Sequence, residues 1–204
     1  MSKRGAGLNR AEQKERTRQT LVATSRRLFA SRGYAGVGLT EIVREAGVTK
    51  GALYHHFEGK TALFRAVLEQ VQQEVAARVV AAAEAAVETP WHRLQAGCAA
   101  FVKASADPEV QRIMLIDGPA VLGWDEWRAI DEATSAAHLS EALREVQSTA
   151  TIPLRPVEPL ARLLSGAMNE AALWLAQSGR PADLEDTLAW LSRLIDGLRY
   201  REPA

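Results

Sequence analysis

The chain lacks the features that mark secreted, disulfide-bonded or membrane-spanning proteins. Its 204 residues include one cysteine, Cys98, which excludes an internal disulfide and a cysteine-based zinc site. No uncharged run is longer than nine residues, so no segment is predicted to cross a membrane. The basic N-terminus has no apolar stretch of the kind found in secretory signals, and we therefore expect a cytoplasmic protein.

Signals for β-structure and for catalysis are also missing. No stretch alternates β-branched and polar residues, proline is absent before Pro90, and alanine is the commonest residue, a pattern that predicts an all-α fold. There is no nucleophile elbow, phosphate loop or cluster of catalytic carboxylates, so we do not expect an enzyme. His55 and His56 are adjacent and would point about 100° apart on a helix, which argues against a metal site. We predict no cofactor.

Charge is distributed unevenly along the chain although the total is zero. Residues 1–60 contain 12 Lys and Arg against 5 Asp and Glu, a net of +7, whereas residues 61–204 contain 13 against 20, a net of −7. Such asymmetry indicates a basic module that meets a polyanion and an acidic body that does not. We predict a DNA-binding domain over 1–60, with 1–9 as a basic flexible arm, and a ligand-binding and dimerisation domain over 61–204.

The segment from Thr40 to Phe57 has the pattern of a helix-turn-helix. Thr40 is a suitable N-cap for its first helix, Gly47 permits a left-handed turn, and the second helix begins near Lys50. The apolar positions that would face inward are Ile42, Val43, Ala46, Val48, Leu53 and Phe57. The outward positions of the second helix carry no acidic residue: Lys50, Gly51, Ala52, Tyr54, His55 and His56. Small and hydrogen-bonding residues let a helix enter a major groove, although a helical hairpin with a solvated face is the alternative.

The stretch LTEIVREAGVTKGALYHHFEGKTALFRAVLE resembles the N-terminal DNA-binding domain of the tetracycline-repressor (TetR) family, and the resemblance covers about residues 10–70. It implies a homodimeric all-α regulator with a three-helix head that binds a double-stranded DNA operator and a helical body that holds an effector pocket. It assigns phosphate contacts to Thr40 and Lys60. It places Thr49, Lys50, Gly51 and Ala52 against bases, and Tyr54 and His55 against backbone or base edges. Gly59 departs from the family, which more often has a polar cap there.

The C-terminal body is predicted to contain helices near 91–106, 108–116, 125–148, 157–178 and 183–199, with DGPAVLGW as a loop. Two of these helices carry apolar residues at spacings of three and four. The positions are Leu160, Leu164, Ala167, Ala171 and Trp174 in one, and Leu184, Leu188, Leu191, Ile195 and Leu198 in the other. Such seams are suited to a two-fold four-helix interface, and we predict a homodimer through helices near 157–178 and 183–199. The alternative is that both seams pack within the body of their own chain.

Bulky apolar residues on several body helices indicate a cavity rather than a uniformly packed bundle. We predict that an effector is bound by some of Phe101, Met114, Trp127, Met168 and Asn169. Each apolar one can instead belong to the core, and Asn169 can instead form an internal hydrogen bond. The acidic body favours a neutral or cationic molecule over an anionic one.

These observations predict a ligand-responsive transcriptional regulator, a repressor that binds a palindromic operator as a homodimer and is released by a small apolar molecule. One alternative is a DNA-binding protein without a small-molecule effector, controlled by a protein partner or by abundance. A second is an enzyme with an accessory DNA-binding head, against which the lack of a catalytic constellation argues.

Overall fold

The computed structural model describes residues 4–86, 89–178, 180 and 182–199, and this part of the chain is helical with no strand. The all-α prediction is therefore confirmed. The helices are α1 (Arg4–Arg32), α2 (Leu39–Glu45), α3 (Lys50–His56), α4 (Lys60–Ala85), α5 (Pro90–Ser105), α6 (Pro108–Gln111), α7 (Gly118–Leu122), α8 (Trp124–Glu132), α9 (Ser135–Ser148), α10 (Val157–Ser178) and α11 (Ala182–Asp196). A π-helical segment, Arg112–Asp117, joins α6 to α7.

Helices α1, α2 and α3 form a small head around buried Leu21, Phe29, Ile42 and Leu53. Gly33 ends α1 in the left-handed region, with a φ of 71°, as expected of a glycine after a helix. Helix α1 begins at Arg4, so residues 4–9, which the sequence predicts to be a loose basic arm, are helical in the structure. Residues 1–3 lie outside the described part.

Helix α4 runs from the head into the body. Near its start, the Phe64 ring packs edge-on against Phe29 and Tyr34, with ring centroids 5.4 and 5.2 Å apart. Further along, Val71 and Val75 are buried, and α4 packs against α5 over much of its length. Because one continuous helix serves both units, the division between residues 60 and 61 stays a prediction.

The predicted loop DGPAVLGW is wrong for most of its length. The chain stays helical from α6 through the π-helical segment and α7, and it leaves the helix only at Gly123, whose φ is 83°. Pro119 is the second residue of α7. The wider π-helical turn precedes it.

The helix predicted over 125–148 is two helices, α8 and α9, separated at Ala133 and Thr134. The Thr134 hydroxyl donates to the carbonyl oxygens of Ile130 and Asp131, at 3.0 and 3.2 Å. A threonine side chain that bonds to the preceding turn competes with the helical backbone pattern. This break turns α9 so that it packs on α4, α5 and α10.

Helix α11 packs on α5 and α10 through the face that contains its predicted seam. Leu191 is 7% exposed and Ile195 is 1% exposed within the single chain. Both residues are therefore core, and the prediction that they line a dimer interface is wrong. Spacing alone could not distinguish the two cases, since a seam looks the same whether its partner is internal or external.

Candidate nucleic-acid interface and effector cavity

Helix α3 presents an open face to solvent. Lys50, Gly51, Tyr54 and His55 are exposed, whereas Leu53 is fully buried and anchors the opposite face. Ala52 is partly covered, and its backbone N–H donates to Thr49 Oγ1 at 3.1 Å. Thr49 is thus the N-cap of α3, and its hydroxyl hydrogen is left to donate elsewhere.

Helix α2 begins two residues earlier than predicted. Gly38 is its N-cap, and Thr40 is the second helical residue, so the predicted capping role of Thr40 is wrong. Glycine also caps tolerably, because its backbone reaches the extended conformation that the N-cap requires. The Thr40 side chain remains exposed at the helix N-terminus, where unpaired backbone N–H groups favour an anion.

The carboxylates of α2 are neutralised by arginines of α1. Glu41 pairs with Arg32 at 2.7 Å, and Glu45 pairs with Arg27 at 3.2 Å. The hydrogen bond from Arg32 lowers the pKa of the Glu41 carboxyl. These pairs hold α2 against α1, and they reduce the repulsion that two free carboxylates would exert on a DNA backbone.

Two basic residues of α1, missed from the sequence, lie close to the recognition helix. Burial lowers the pKa of His56, and the positive charges of His55, Lys14 and Arg18 lower it further. The Arg18 guanidinium carbon lies 5.7 Å from the centroid of the Phe57 ring. Lys14 and Arg18 are one helical turn apart, so the sequence shows that they share a face of α1. It does not show that this face lies next to α3.

Lys60, at the start of α4, is held in place by an aromatic ring. Its Nζ lies 4.0 Å from the centroid of Tyr34, whose hydroxyl hydrogen-bonds to Thr61 Oγ1 at 3.0 Å. Burial lowers the pKa of the Lys60 ammonium, and Asp117 partly offsets that effect. Gly59 is the N-cap of α4 and provides no side-chain cap, as the departure from the family pattern predicts.

Polar contacts connect the head to the body. Asp117 Oδ2 accepts a hydrogen bond from the Tyr34 backbone N–H at 2.7 Å. Arg26 of α1 donates to Glu74 of α4 at 2.6 Å and to Glu109 of α6 at 2.5 Å. The hydrogen bonds to these two carboxylates raise the pKa of the Arg26 guanidinium, and the bond to Glu74 has the larger effect. The head therefore contacts both α4 and the segment that follows α6.

The body contains a largely apolar cavity of about 250 Å³ between α4, α5, α9 and α10. Phe101 and Met168, two of the five predicted ligand residues, line it. Its other apolar walls include Val79, Leu94, Cys98 and Leu139. Burial raises the pKa of the Cys98 thiol to about 12, so this thiol stays protonated and is a poor nucleophile at neutral pH.

The remaining three predicted ligand residues lie outside the lining of this cavity. The Trp127 indole N–H donates to the Met114 carbonyl oxygen at 2.7 Å, which holds α8 against the π-helical segment. Trp127 and Asn169 line a separate depression between α8 and α10. Asn169 Oδ1 is buried and accepts no hydrogen bond within the described residues. Sequence periodicity identified the apolar faces but not the helices that face one another.

The cavity also contains ionisable groups that the sequence did not indicate. Asp131, at the end of α8, is 4% exposed and forms an ion pair with Arg128 at 3.1 Å. Burial raises the pKa of the Asp131 carboxyl to about 6, against the opposing effect of Arg128. Glu84, Glu141 and Glu145 are exposed and stand at the rim.

Other classes of site find no support in the described ranges. No helix there combines the length and the apolar character needed to cross a membrane. No group of three or more histidine, cysteine, aspartate or glutamate side chains there is arranged to hold a metal ion.

Comparisons with known proteins cover both units of the chain. Residues 91–198 match the family described as tetracyclin repressor-like, C-terminal domain, and residues 21–67 match bacterial regulatory proteins, tetR family. A solved TetR-family transcriptional regulator from Pectobacterium atrosepticum is 33% identical, with a TM-score of 0.75, over 94% of this chain and 98% of that chain.

Two curated relatives match over shorter segments. The Tn10 TetC protein of Escherichia coli is 31% identical over 56% of this chain and 57% of its own length. The transcriptional regulator SrpR of Pseudomonas putida is 28% identical over 53% of this chain and 50% of its own length. The chain thus spans about half the length of these curated relatives.

Proposed function

Because this chain belongs to the TetR family of bacterial DNA-binding transcriptional regulators, we propose that it is a homodimeric repressor released from a palindromic operator by a small molecule. The family is one of regulators rather than enzymes. The exposed face of α3, free of carboxylates and flanked by basic residues, is the observation that carries the proposal.

The interface residues have separate tasks in this proposal. Lys50, at the first turn of α3, reaches base edges, and the small residues after it allow the helix backbone to approach the groove. Thr40 and Lys60, at the N-termini of α2 and α4, bind phosphates on either side. Tyr54 and His55 contact backbone or base edges, and Lys14 and Arg18 add phosphate contacts from α1.

The dimer forms through α10 and α11 in this proposal, using residues of α11 other than its buried Leu191 and Ile195. Trp190 and Leu194 of α11 are 68% and 61% exposed, and Ala167 and Trp174 of α10 line the same groove. Large exposed apolar side chains clustered on one surface mark a contact site. A second copy supplies the same surface by two-fold symmetry and buries these residues in a four-helix interface.

The effector enters the cavity between α4, α5, α9 and α10. Since the start of α4 packs against the head, a ligand that prefers one position of α4 shifts the relative placement of the two heads of the dimer. Such a switch needs only that the effector binds the released state of the protein more tightly than the DNA-bound state. Repression follows because a dimer bound over a promoter blocks polymerase, and the ligand removes it.

The test begins with selection of binding sites from randomised duplexes by the full-length protein. We expect a two-fold symmetric sequence with half-sites about one helical turn apart. Lys50→Ala should then cost about 1–3 kcal/mol on the selected site and less on random DNA. Equal losses on both DNAs would reduce Lys50 to a backbone contact, and recovery of no sequence would contradict the proposed function.

A further inference from the structure

The cavity is lined mostly by apolar residues and also by several charged ones. Arg93 at the start of α5 pairs with Glu145 of α9, and Glu84 lies near them because α4 and α5 are joined by a short connection. Phe101 is eight residues further along α5, or about 12 Å away along the helix axis. Asp131 and Ser165 of the lining lie close to each other, since both contact Arg128 Nη1, at 3.1 and 3.4 Å.

The lining carries excess negative charge. Four carboxylates line the cavity: Glu84, Asp131, Glu141 and Glu145. Two guanidinium groups oppose them, Arg93 on Glu145 and Arg128 on Asp131, which leaves a net charge of −2 when His138 is neutral. His138 itself lies 3.6 Å from Glu141, so even its protonation does not make the lining positive.

We propose that this cavity takes an amphipathic cation, with an apolar aliphatic or aromatic body and one quaternary or protonated amine. The inference rests on the proposed function in taking the cavity as the effector site, and it adds the chemical class of the ligand. The apolar body contacts Phe101, Leu139 and Met168, and the cationic group lies against a carboxylate. The Phe101 ring provides a further favourable surface for a cation.

The carboxylates discriminate between ligand charges for two physical reasons. An anion entering the cavity is repelled by the net negative charge of the lining. A neutral ligand expels water from carboxylates without replacing it by an opposite charge. A cation has neither disadvantage, since it exchanges hydration for an ion pair.

Three probes of one shape and different charge test this proposal on the free protein. Benzyltrimethylammonium is positive, neopentylbenzene replaces its nitrogen by carbon and is neutral, and phenylmethanesulfonate is negative with a similar tetrahedral head. Isothermal titration should give an affinity for the cation at least about tenfold above that for the anion. An anion that binds as tightly as the cation, or no binding of the cation at millimolar concentration, would overturn the proposal.

Variants then locate the charge that matters. Asp131→Asn keeps the shape of the side chain, and we expect it to weaken binding of the cation by roughly tenfold while neopentylbenzene changes less than twofold. The double variant Glu84→Gln and Glu141→Gln at the rim, where solvent screens charge, should weaken the cation a few-fold. Glu12→Gln on the exposed surface of α1 is the matched control and should change nothing. Equal losses for cation and neutral probe would contradict the proposal.

The same preparations are titrated with the selected DNA in the absence of any probe. DNA binding by all variants, together with the charge preference, supports both proposals. If the unmodified chain does not bind DNA, the proposed function is contradicted. The proposed ligand class is not affected by that result, because the charge preference is measured without DNA.

Discussion

Asp117 binds the backbone of Tyr34 directly, with Oδ2 2.7 Å from the Tyr34 nitrogen. The contact joins the end of the π-helical segment in the body to the turn after α1 in the head. Gly33 precedes this contact with a φ of 71°, a left-handed conformation that favours glycine, and a Cβ there would lie at an ordinary contact distance of 3.5 Å from Asp117 Oδ2. The body therefore contacts the head at the turn after α1, in addition to the connection that the continuous helix α4 provides.

Asp117→Ala should lower the free energy of unfolding by about 1–2 kcal/mol, because a charged acceptor of a partly buried N–H is removed. Urea unfolding measures the loss, and hydrogen exchange at the Tyr34 amide should become faster. Asp125→Ala, an exposed aspartate on α8, is the control and should change stability by less than about 0.5 kcal/mol. Unchanged exchange at Tyr34 would show that the contact does not stabilise the turn.

Lys60→Ala should weaken binding to all DNA sequences alike and lower the slope of log affinity against log salt by about one, because one phosphate contact is lost. Fluorescence anisotropy at several salt concentrations measures the slope. Lys103→Ala removes an exposed charge from the body and should leave the slope as it is. If Lys60→Ala also leaves it unchanged, Lys60 acts on Tyr34 and not on a phosphate.

Trp190→Asp or Leu194→Asp should convert the dimer into folded monomers, because an unpaired charge in an apolar interface costs several kcal/mol whereas the same charge on a free surface costs little. Sedimentation at micromolar concentration measures the mass, and circular dichroism checks the fold. Leu154→Asp, on an exposed residue of the α9–α10 connection, should leave the assembly unchanged. A full-strength dimer in both α11 variants would exclude this surface.

Leu191→Asp separates core from interface on the same helix. Since Leu191 is buried within the single chain, a charge there should unfold α11 or the whole protein rather than release folded monomers. Thermal unfolding followed by circular dichroism distinguishes the two outcomes. Folded monomers would show that the buried seam takes part in the interface after all.

The stability of the protein should depend on pH through Asp131. Its pKa is raised by burial to about 6 and is near 4 in the unfolded chain, so the folded state holds the proton to higher pH. Stability therefore falls as pH rises from about 4 to about 6, and the cost persists above that window. Arg128 opposes this cost and Glu132 adds to it, and His138 and Ser165 line the same cavity.

Asp131→Asn removes this titration. The variant should be more stable than the unmodified chain at pH 7.5, by at most about 3 kcal/mol, and the difference should shrink as pH falls below 5. Urea unfolding at matched pH values measures the difference directly, so that other titrating groups cancel. A difference that stays constant between pH 4 and 7.5 would contradict the raised pKa.

The helix-turn-helix could be predicted from sequence because its determinants are local. Gly47 and Thr49 define a turn and a cap over a few residues, and the alternation of buried Leu53 with exposed Tyr54 follows from helical geometry alone. The absence of carboxylates from the exposed face of α3 can likewise be read from the sequence. All these features depend on residues that are neighbours along the chain.

The effector cavity and the exposed surface of α11 were decided only by tertiary structure. Phe101, Asp131 and Met168 come from three helices that meet in space, and no periodicity states which helices meet. Leu191 and Trp190 are adjacent in sequence, yet one is core and the other is exposed, because the packing of α11 on α5 chooses the face that is buried. The sequence determined which faces are apolar, and long-range packing determined whether each apolar face meets the same chain, a cavity or solvent.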